Sequence, residues 1–161
     1  FIKSRTSFGK YYGLEPLLGF DAIVRYKAKY NHLSGSGYLP YAEKFYMGGI
    51  GSVRGYESYS IGAARTDSTI TTSSSGGKQT FSNTAEISWP LIPKAKMRLV
   101  TFLDWGFIGE DSLTEYSRGG YGAGLEWFSP VGPIQLMFAQ PLNQQESDRT
   151  AVFEFTMGQR F

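Results

Sequence analysis

FDAIVRYKAKY, residues Phe20–Tyr30, decides how this chain is read. Its even positions are Phe20, Ala22, Val24, Tyr26, Ala28 and Tyr30; its odd positions are Asp21, Ile23, Arg25, Lys27 and Lys29. Side chains alternate across a β-strand, so a period of two sorts these residues onto two faces. One face is aromatic and aliphatic, the other mostly charged.

The same split recurs along the chain. In Phe81–Trp89, Phe81, Ala85, Ile87 and Trp89 share a face, with Asn83 the exception, opposite Thr80, Ser82, Thr84, Glu86 and Ser88. In Met97–Phe107 the apolar row is Met97, Leu99, Leu103, Trp105 and Phe107, interrupted by Thr101, and the other row is Arg98, Val100, Phe102, Asp104 and Gly106. Tyr121–Phe128 sets Tyr121, Ala123, Leu125 and Trp127 against Gly122, Gly124, Glu126 and Phe128. Ile134–Gln140 aligns Ile134, Leu136 and Phe138, and Ala151–Phe161 aligns Phe153, Phe155, Met157 and Phe161 against Glu154, Thr156, Gly158 and Arg160. Phe1–Tyr12 is a further segment with mixed alternation.

Trp89–Lys96, Ser129–Gly132 and Leu142–Asp148 read as short or polar turns. Two of them carry proline, which cannot donate to a ladder and so marks strand ends. His32–Gln79 is different: it exceeds the roughly 12–15 residues beyond which connections are usually functional or disordered. Its second half, TDSTITTSSSGGK, is low-complexity and expected to be mobile. Its first half, YLPYAEKFYMGGIGSVRGYESYSIG, is aromatic and specific.

Composition narrows the class. Aromatic residues are 16% of the 161, with 20 glycines, yet mean hydropathy is −0.26 and only 19% of residues are charged. That combination fits a β-sandwich or a membrane barrel whose strands face lipid on one side and a polar lumen on the other. Arg25, Glu86 and Asp104 on the polar faces suit a wet lumen, and the chain closes on an aromatic residue. Segments of about 9–11 residues are long enough to cross a bilayer as tilted strands. The reading is therefore all-β: an antiparallel transmembrane β-barrel of about seven strands, with a long loop over about 32–79.

Several functions are excluded. No cysteine removes disulfides, thiolate metal sites and cysteine nucleophiles. A single histidine, His32, leaves no His-based triad or metal cluster, and it is expected near a strand end. A net charge of +2 with no basic run does not point to nucleic acid. GGIGSVRGY has neither dinucleotide-loop spacing nor a Gly-Lys-Ser/Thr element. Glu86 and Asp104 are better explained by an arginine partner than as catalytic carboxylates. No enzyme, cofactor or metal is expected. The start FIKSRTSFGK, without Met or an apolar leader, is taken as that of a mature or excised piece lacking its N-terminal side.

FYMGGIGSVRGY, Phe45–Tyr56, resembles the signature loop of the BamA-type outer-membrane insertases and their two-partner-secretion relatives. Phe102, Asp104 and Gly106 match that family's Phe-x-Asp-x-Gly strand motif, and Glu86 stands where the family carries a glutamate after the loop. Gly124, Leu125, Trp127, Ser129, Pro130, Gly132 and Pro133 are similar to its paired penultimate strands, and FEFTMGQRF to its closing strand. The motifs follow in the family's order over nearly the whole chain. The resemblance implies that residues 1–161 are the C-terminal part of a single, sixteen-stranded barrel in a bacterial outer membrane. It implies a loop folded into the barrel, with Gly48 and Gly49 leading to Val53, Arg54, Gly55 and Tyr56, and Arg54 set against an inner wall of Glu86, Phe102, Asp104 and Gly106. It also implies a lateral seam at a closing strand bearing Phe153, Phe155, Met157, Gly158 and Phe161.

Physical chemistry bears on each point. An arginine carried into a barrel must be paired, and its planar fork suits carboxylates. Glu86 and Asp104 share one parity, so both can approach it. Changes within Thr69–Gly77 are expected to leave that contact alone. The apolar closing strand suits recognition by β-strand addition, and Phe161 is expected to contribute to it. The function implied is folding and insertion of outer-membrane β-barrels. Its partners would be outer-membrane lipid, nascent outer-membrane proteins and accessory assembly lipoproteins. The alternative is a two-partner-secretion pore that translocates polypeptide. A plugged, motif-bearing loop argues against a passive porin.

Overall fold

The computed structural model of the chain describes residues 1–64 and 74–158. Arg65–Ser73, which hold much of the Ser/Thr tract, and residues 159–161, with the expected recognition residue Phe161, lie outside the described residues. Seven strands form one antiparallel sheet: β1 (Ile2–Gly13), β2 (Ile23–Ser34), β4 (Gln79–Ile92), β5 (Met97–Gly109), β6 (Tyr116–Ser129), β7 (Gly132–Pro141) and β9 (Phe153–Met157), in that spatial order. Two-residue strands β3 (Gly55–Tyr56) and β8 (Thr150–Ala151) pair apart from it. The sheet is open and curled, a partial barrel. Its curvature shows in one ion pair: Arg25 on β2 reaches Glu126 on β6, at 2.8 Å, although β4 and β5 lie between those strands in the sheet.

Several boundaries differ from the sequence reading. The mixed segment Phe1–Tyr12 is a full strand, paired with β2 from Ile2↔Ser34 to Gly13↔Ile23. Ladder bonds are indifferent to side-chain alternation, which is why the pattern under-reported it. β2 begins at Ile23, not Phe20, because a one-turn helix, Glu15–Leu18, with proline in its first turn and Gly19 at φ 74 as its cap, occupies the connection. β2 also runs on to Ser34, so the long loop spans 35–78 rather than 32–79. The expected turn at Trp89 is still strand: β4 continues to Ile92, and its register slips between Pro90 and Ile92, a bulge that absorbs the proline. The closing segment Ala151–Phe161 is not continuous, since β8 leaves to pair with the loop and β9 starts after Val152.

Burial is inverted relative to a water-soluble domain. On β5, Asp104 is fully buried (0%) while its neighbour Leu103 is 43% exposed. Tyr121, Phe138, Phe153 and Phe155 are likewise exposed on the outer face. Such a continuous apolar surface belongs against acyl chains. Aromatic contacts tie the strands along it: Phe8–Tyr26 between β1 and β2 and Tyr26–Trp105 across β4, both at 6.4 Å, and Phe138–Phe153 between β7 and β9 at 5.1 Å between ring centroids.

Asn83, the polar interruption of the outward row on β4, is buried and accepts a 2.6 Å hydrogen bond from the Tyr26 hydroxyl. Acyl chains offer no hydrogen-bond partner, so a hydroxyl on the lipid-facing row depends on this one. Asn83→Ala is expected to cost about 1–3 kcal/mol, the penalty of leaving the Tyr26 hydroxyl without its partner. Paired with Tyr26→Phe, most of that loss should disappear. Urea unfolding in lipid vesicles checks both.

Candidate functional site

The loop is built as a plug. Phe45 and Gly77 exchange two 2.9 Å backbone hydrogen bonds, and the Ile61 amide donates to the Met47 carbonyl at 3.1 Å. Between these rungs the chain makes a tight turn in which the Gly49 amide donates to the Val53 carbonyl at 3.0 Å and the Gly48 amide to Ser52 Oγ at 2.8 Å. Gly48 has φ 121, and a Cβ there would sit 2.4 Å from the Glu57 carbonyl oxygen, so no other residue fits without movement. Met47, Val53, Tyr56 and Ile61 then pack with Ile108 of β5 into a buried apolar cluster. Gly106, the last residue of the Phe-x-Asp-x-Gly motif, accommodates it: a Cβ there would lie 2.7 Å from Met47 Sδ. The plug is also tied to the closing segment, because Gly55–Tyr56 pairs with Thr150–Ala151 and the Arg149 guanidinium meets Glu57 at 2.8 Å.

This scaffold delivers Arg54 to the wall. Its Nε lies 2.7 Å and its Nη2 2.8 Å from the two oxygens of Asp104, a bidentate fork. The Arg54 backbone amide donates to the same carboxylate at 3.0 Å. Nη2 also meets Glu86 Oε1 at 2.7 Å. The guanidinium lies over Phe102, with Cζ 3.6 Å from the ring centroid. Phe102, Asp104 and Gly106 thus act together because alternate β5 residues share the inward face. Burial alone would lower the Arg54 pKa, but the hydrogen bonds and charge of Asp104, then Glu86, outweigh it and hold the group more firmly protonated. Burial, followed by the charge of Asp148, pushes the Tyr56 phenol upward.

The cluster extends beyond the residues singled out in the sequence. Arg25 Nε meets Glu86 Oε2 at 2.9 Å, and Arg25 Nη2 meets Glu126 at 2.8 Å. Charges therefore alternate through Asp104, Arg54, Glu86, Arg25 and Glu126 across the loop and four strands. Parity placed Arg25 and Glu126 on polar faces, but nothing in the sequence joined them, since their contact depends on sheet curvature. The glycines of β6 were also missed as site residues. A Cβ on Gly120 would lie 1.9 Å from the Arg54 carbonyl oxygen, and one on Gly122 2.8 Å from Phe102 Cζ. Glu154 of β9 has a buried Oε2 without a hydrogen-bond partner among the described residues. Beside the plug a cavity of about 420 Å³ is lined by Lys27, Lys29, Ser82, Thr84 and Gln135 among others.

Gly48, Gly49, Val53, Arg54, Gly55, Tyr56, Glu86, Phe102, Asp104 and Gly106 are brought together here. Phe153, Phe155 and Met157 are not: they lie on β9, exposed on the opposite face of the sheet. Gly158 follows at φ 79 with its amide bonded to the Pro133 carbonyl at 2.8 Å. Of the stretch expected to be indifferent, Thr69–Gly77, residues 69–73 lie outside the described residues, and its end is closely packed. A Cβ on Gly76 would lie 2.9 Å from the Phe45 carbonyl oxygen, and one on Gly77 2.7 Å from that of Gly109, so both are packed into the plug's base.

Because Arg25 and Arg54 share Glu86, their contributions should not add. Comparing Arg25→Ala, Arg54→Ala and the double variant is expected to give a coupling of about 1 kcal/mol or more in unfolding free energy. Simple additivity would break the proposed chain at Glu86.

A sequence model of the Omp85 superfamily domain matches residues 1–161. The chain is 32% identical over 154 residues to an outer membrane protein assembly factor BamA of Neisseria meningitidis serogroup B, covering 76% of this chain and 19% of that protein. It is 33% identical over 171 residues to one of Nitratidesulfovibrio vulgaris, covering 100% of this chain and 20% of that protein. Outer envelope protein 80, chloroplastic, of Arabidopsis thaliana is 31% identical over 129 residues, or 73% of this chain and 15% of that protein. Among solved structures, BamA from Haemophilus ducreyi lacking POTRA domains 1–3 superposes with a TM-score of 0.79 at 22% identity, over 95% of this chain and 34% of that one. The chain thus spans about a fifth of the length of the two bacterial relatives.

Proposed function

This chain belongs to the Omp85 superfamily and is part of an outer-membrane β-barrel, and on that premise we propose that the protein containing it folds β-barrel proteins and inserts them into the outer membrane. The observation that carries the proposal is identity to an assembly factor over the whole chain, loop, wall and closing strand included. The substrates in this reading are nascent outer-membrane proteins, and the partners are membrane lipid and accessory assembly lipoproteins.

No covalent step is needed. The plug supplies a fixed post: Arg54 and its carboxylates hold the loop against the wall, so that the lumen side of the sheet stays rigid. The closing edge supplies the labile part. β9 has only five residues, begins after the break at Val152 and stops before Gly158. An edge strand leaves a row of backbone donors and acceptors ready to template another strand, and a short one holds few bonds to its own neighbour. Phe153, Phe155 and Met157 point from that edge toward lipid, where a substrate strand would enter the membrane. A rigid wall beside a weakly held edge supports a lateral seam.

The test is reconstitution of the full-length protein in lipid vesicles with an unfolded outer-membrane barrel. Faster folding of that barrel than in protein-free vesicles is expected. Passage of an unfolded polypeptide through the lumen without folding catalysis would instead establish the two-partner-secretion reading.

A further inference from the structure

The end of the sheet opposite the plug loop carries an unassigned feature. There β4 passes through a 3₁₀ turn, Pro93–Ala95, into Lys96 at φ 55 and then β5. The Lys96 carbonyl accepts a 3.1 Å hydrogen bond from the Phe128 amide, which fixes this turn beside the end of β6. Between them lies a shallow cavity of about 500 Å³ lined by Lys94, Lys96, Trp127, Phe128, Ser129 and Pro130.

Its chemistry is one-sided. No carboxylate lines it, and among the described residues neither Lys94 nor Lys96 has an ion-pair partner. Lysines at the other end differ: Lys3 meets Glu43, and Lys44 and Lys78 meet Glu110. Arg98, the next cation inward, is already held by Asp21 at 2.8 Å. The Ser129 hydroxyl is committed to the Gly132 carbonyl at 2.6 Å, so the lysines are the cavity's cationic donors, beside the indole N–H of Trp127. Trp127 belongs to the outward row of β6 and is 39% exposed, with Phe128 half exposed at the strand end.

The position identifies the ligand. Short turns of outer-membrane barrels face the periplasm, and tryptophans gather where acyl chains give way to headgroups. Lysine binds phosphate as a point charge and extends its stem along apolar surface to do so. We propose that Lys94, Lys96, Trp127 and Phe128 form a binding site for the phosphate headgroup of a phospholipid in the periplasmic leaflet, with the lysines on the phosphate and Trp127 against the first acyl carbons. The site depends on membership of a membrane barrel and not on the assembly function proposed above.

The experiment titrates the full-length protein in non-ionic detergent with phosphatidylglycerol and counts retained lipid by native mass spectrometry. K94Q/K96Q should weaken retention of one lipid by roughly thirtyfold, the combined effect of two lysines at an anionic headgroup. K44Q/K78Q, with equal charge loss at the opposite end, should retain it. Equal retention by wild type and K94Q/K96Q overturns the proposal. So does displacement of the lipid by millimolar inorganic phosphate, which would make this a phosphate site without a lipid component. Should the double variant fail to fold, the single variants K94Q and K96Q must each lose part of the affinity, and no loss in either overturns the proposal.

Discussion

Replacing Arg54 with alanine will destabilise the barrel by about 3–5 kcal/mol, the cost of removing one member of a buried ion pair. The reason is what stays behind. Asp104 and Glu86 are both almost fully buried, and Arg54 lies between them at 2.7 Å from each. Without it two carboxylates face one another, with Arg25 still paired to Glu86 but no guanidinium on Asp104. The loop also loses its grip, because the guanidinium and the Arg54 amide both bind Asp104. Arg54→Lys should recover only part of the loss, since an ammonium cannot form the bidentate fork or lie flat on Phe102. The measurement is the temperature at which the full-length barrel loses its compact mobility on a semi-native gel, combined with trypsin sensitivity of the loop. Wild-type behaviour in Arg54→Ala would sink the view of the plug as a charge-anchored element.

Much of this was legible because a barrel wall obeys a period of two. Parity alone put Glu86 and Asp104 on the lumen side, and Leu103 and Tyr121 on the lipid side, where the structure has them buried and exposed respectively. The long loop stood out by length. Parity is blind to three other things. It cannot see curvature, so the Arg25–Glu126 pair across the sheet was hidden. It cannot see ladder bonds, so β1 looked uncertain although every residue from Ile2 to Gly13 is paired. And it treats proline as a stop, whereas Pro90 lies within β4, which runs on to Ile92 through a bulge. The break at Val152 was equally hidden, since it exists because the loop captures Thr150 and Ala151.

Glycine carries the least pattern and, in β6, much of the geometry. Gly120 faces inward, and an added Cβ would lie 1.9 Å from the Arg54 carbonyl oxygen. That overlap is backbone against side chain root, so no rotamer change relieves it; either β6 or the loop must move. β6 is held on both sides, by β5 and β7, over most of its length. Around Arg54 the loop has no continuous ladder to the wall, only side-chain contacts and a two-residue pairing, so the loop should yield there. Gly120→Val is therefore expected to cost about 3 kcal/mol or more, at the upper end for overpacking. The sheet should persist while Arg54 becomes open to trypsin. Gly13→Ala is the matched control: nothing lies within 4 Å of a Cβ built there, and its trypsin pattern should equal wild type. If Gly120→Val protected its loop as well as Gly13→Ala does, the close approach of loop to wall would be wrong, and with it the idea that these glycines exist to let the plug reach Asp104.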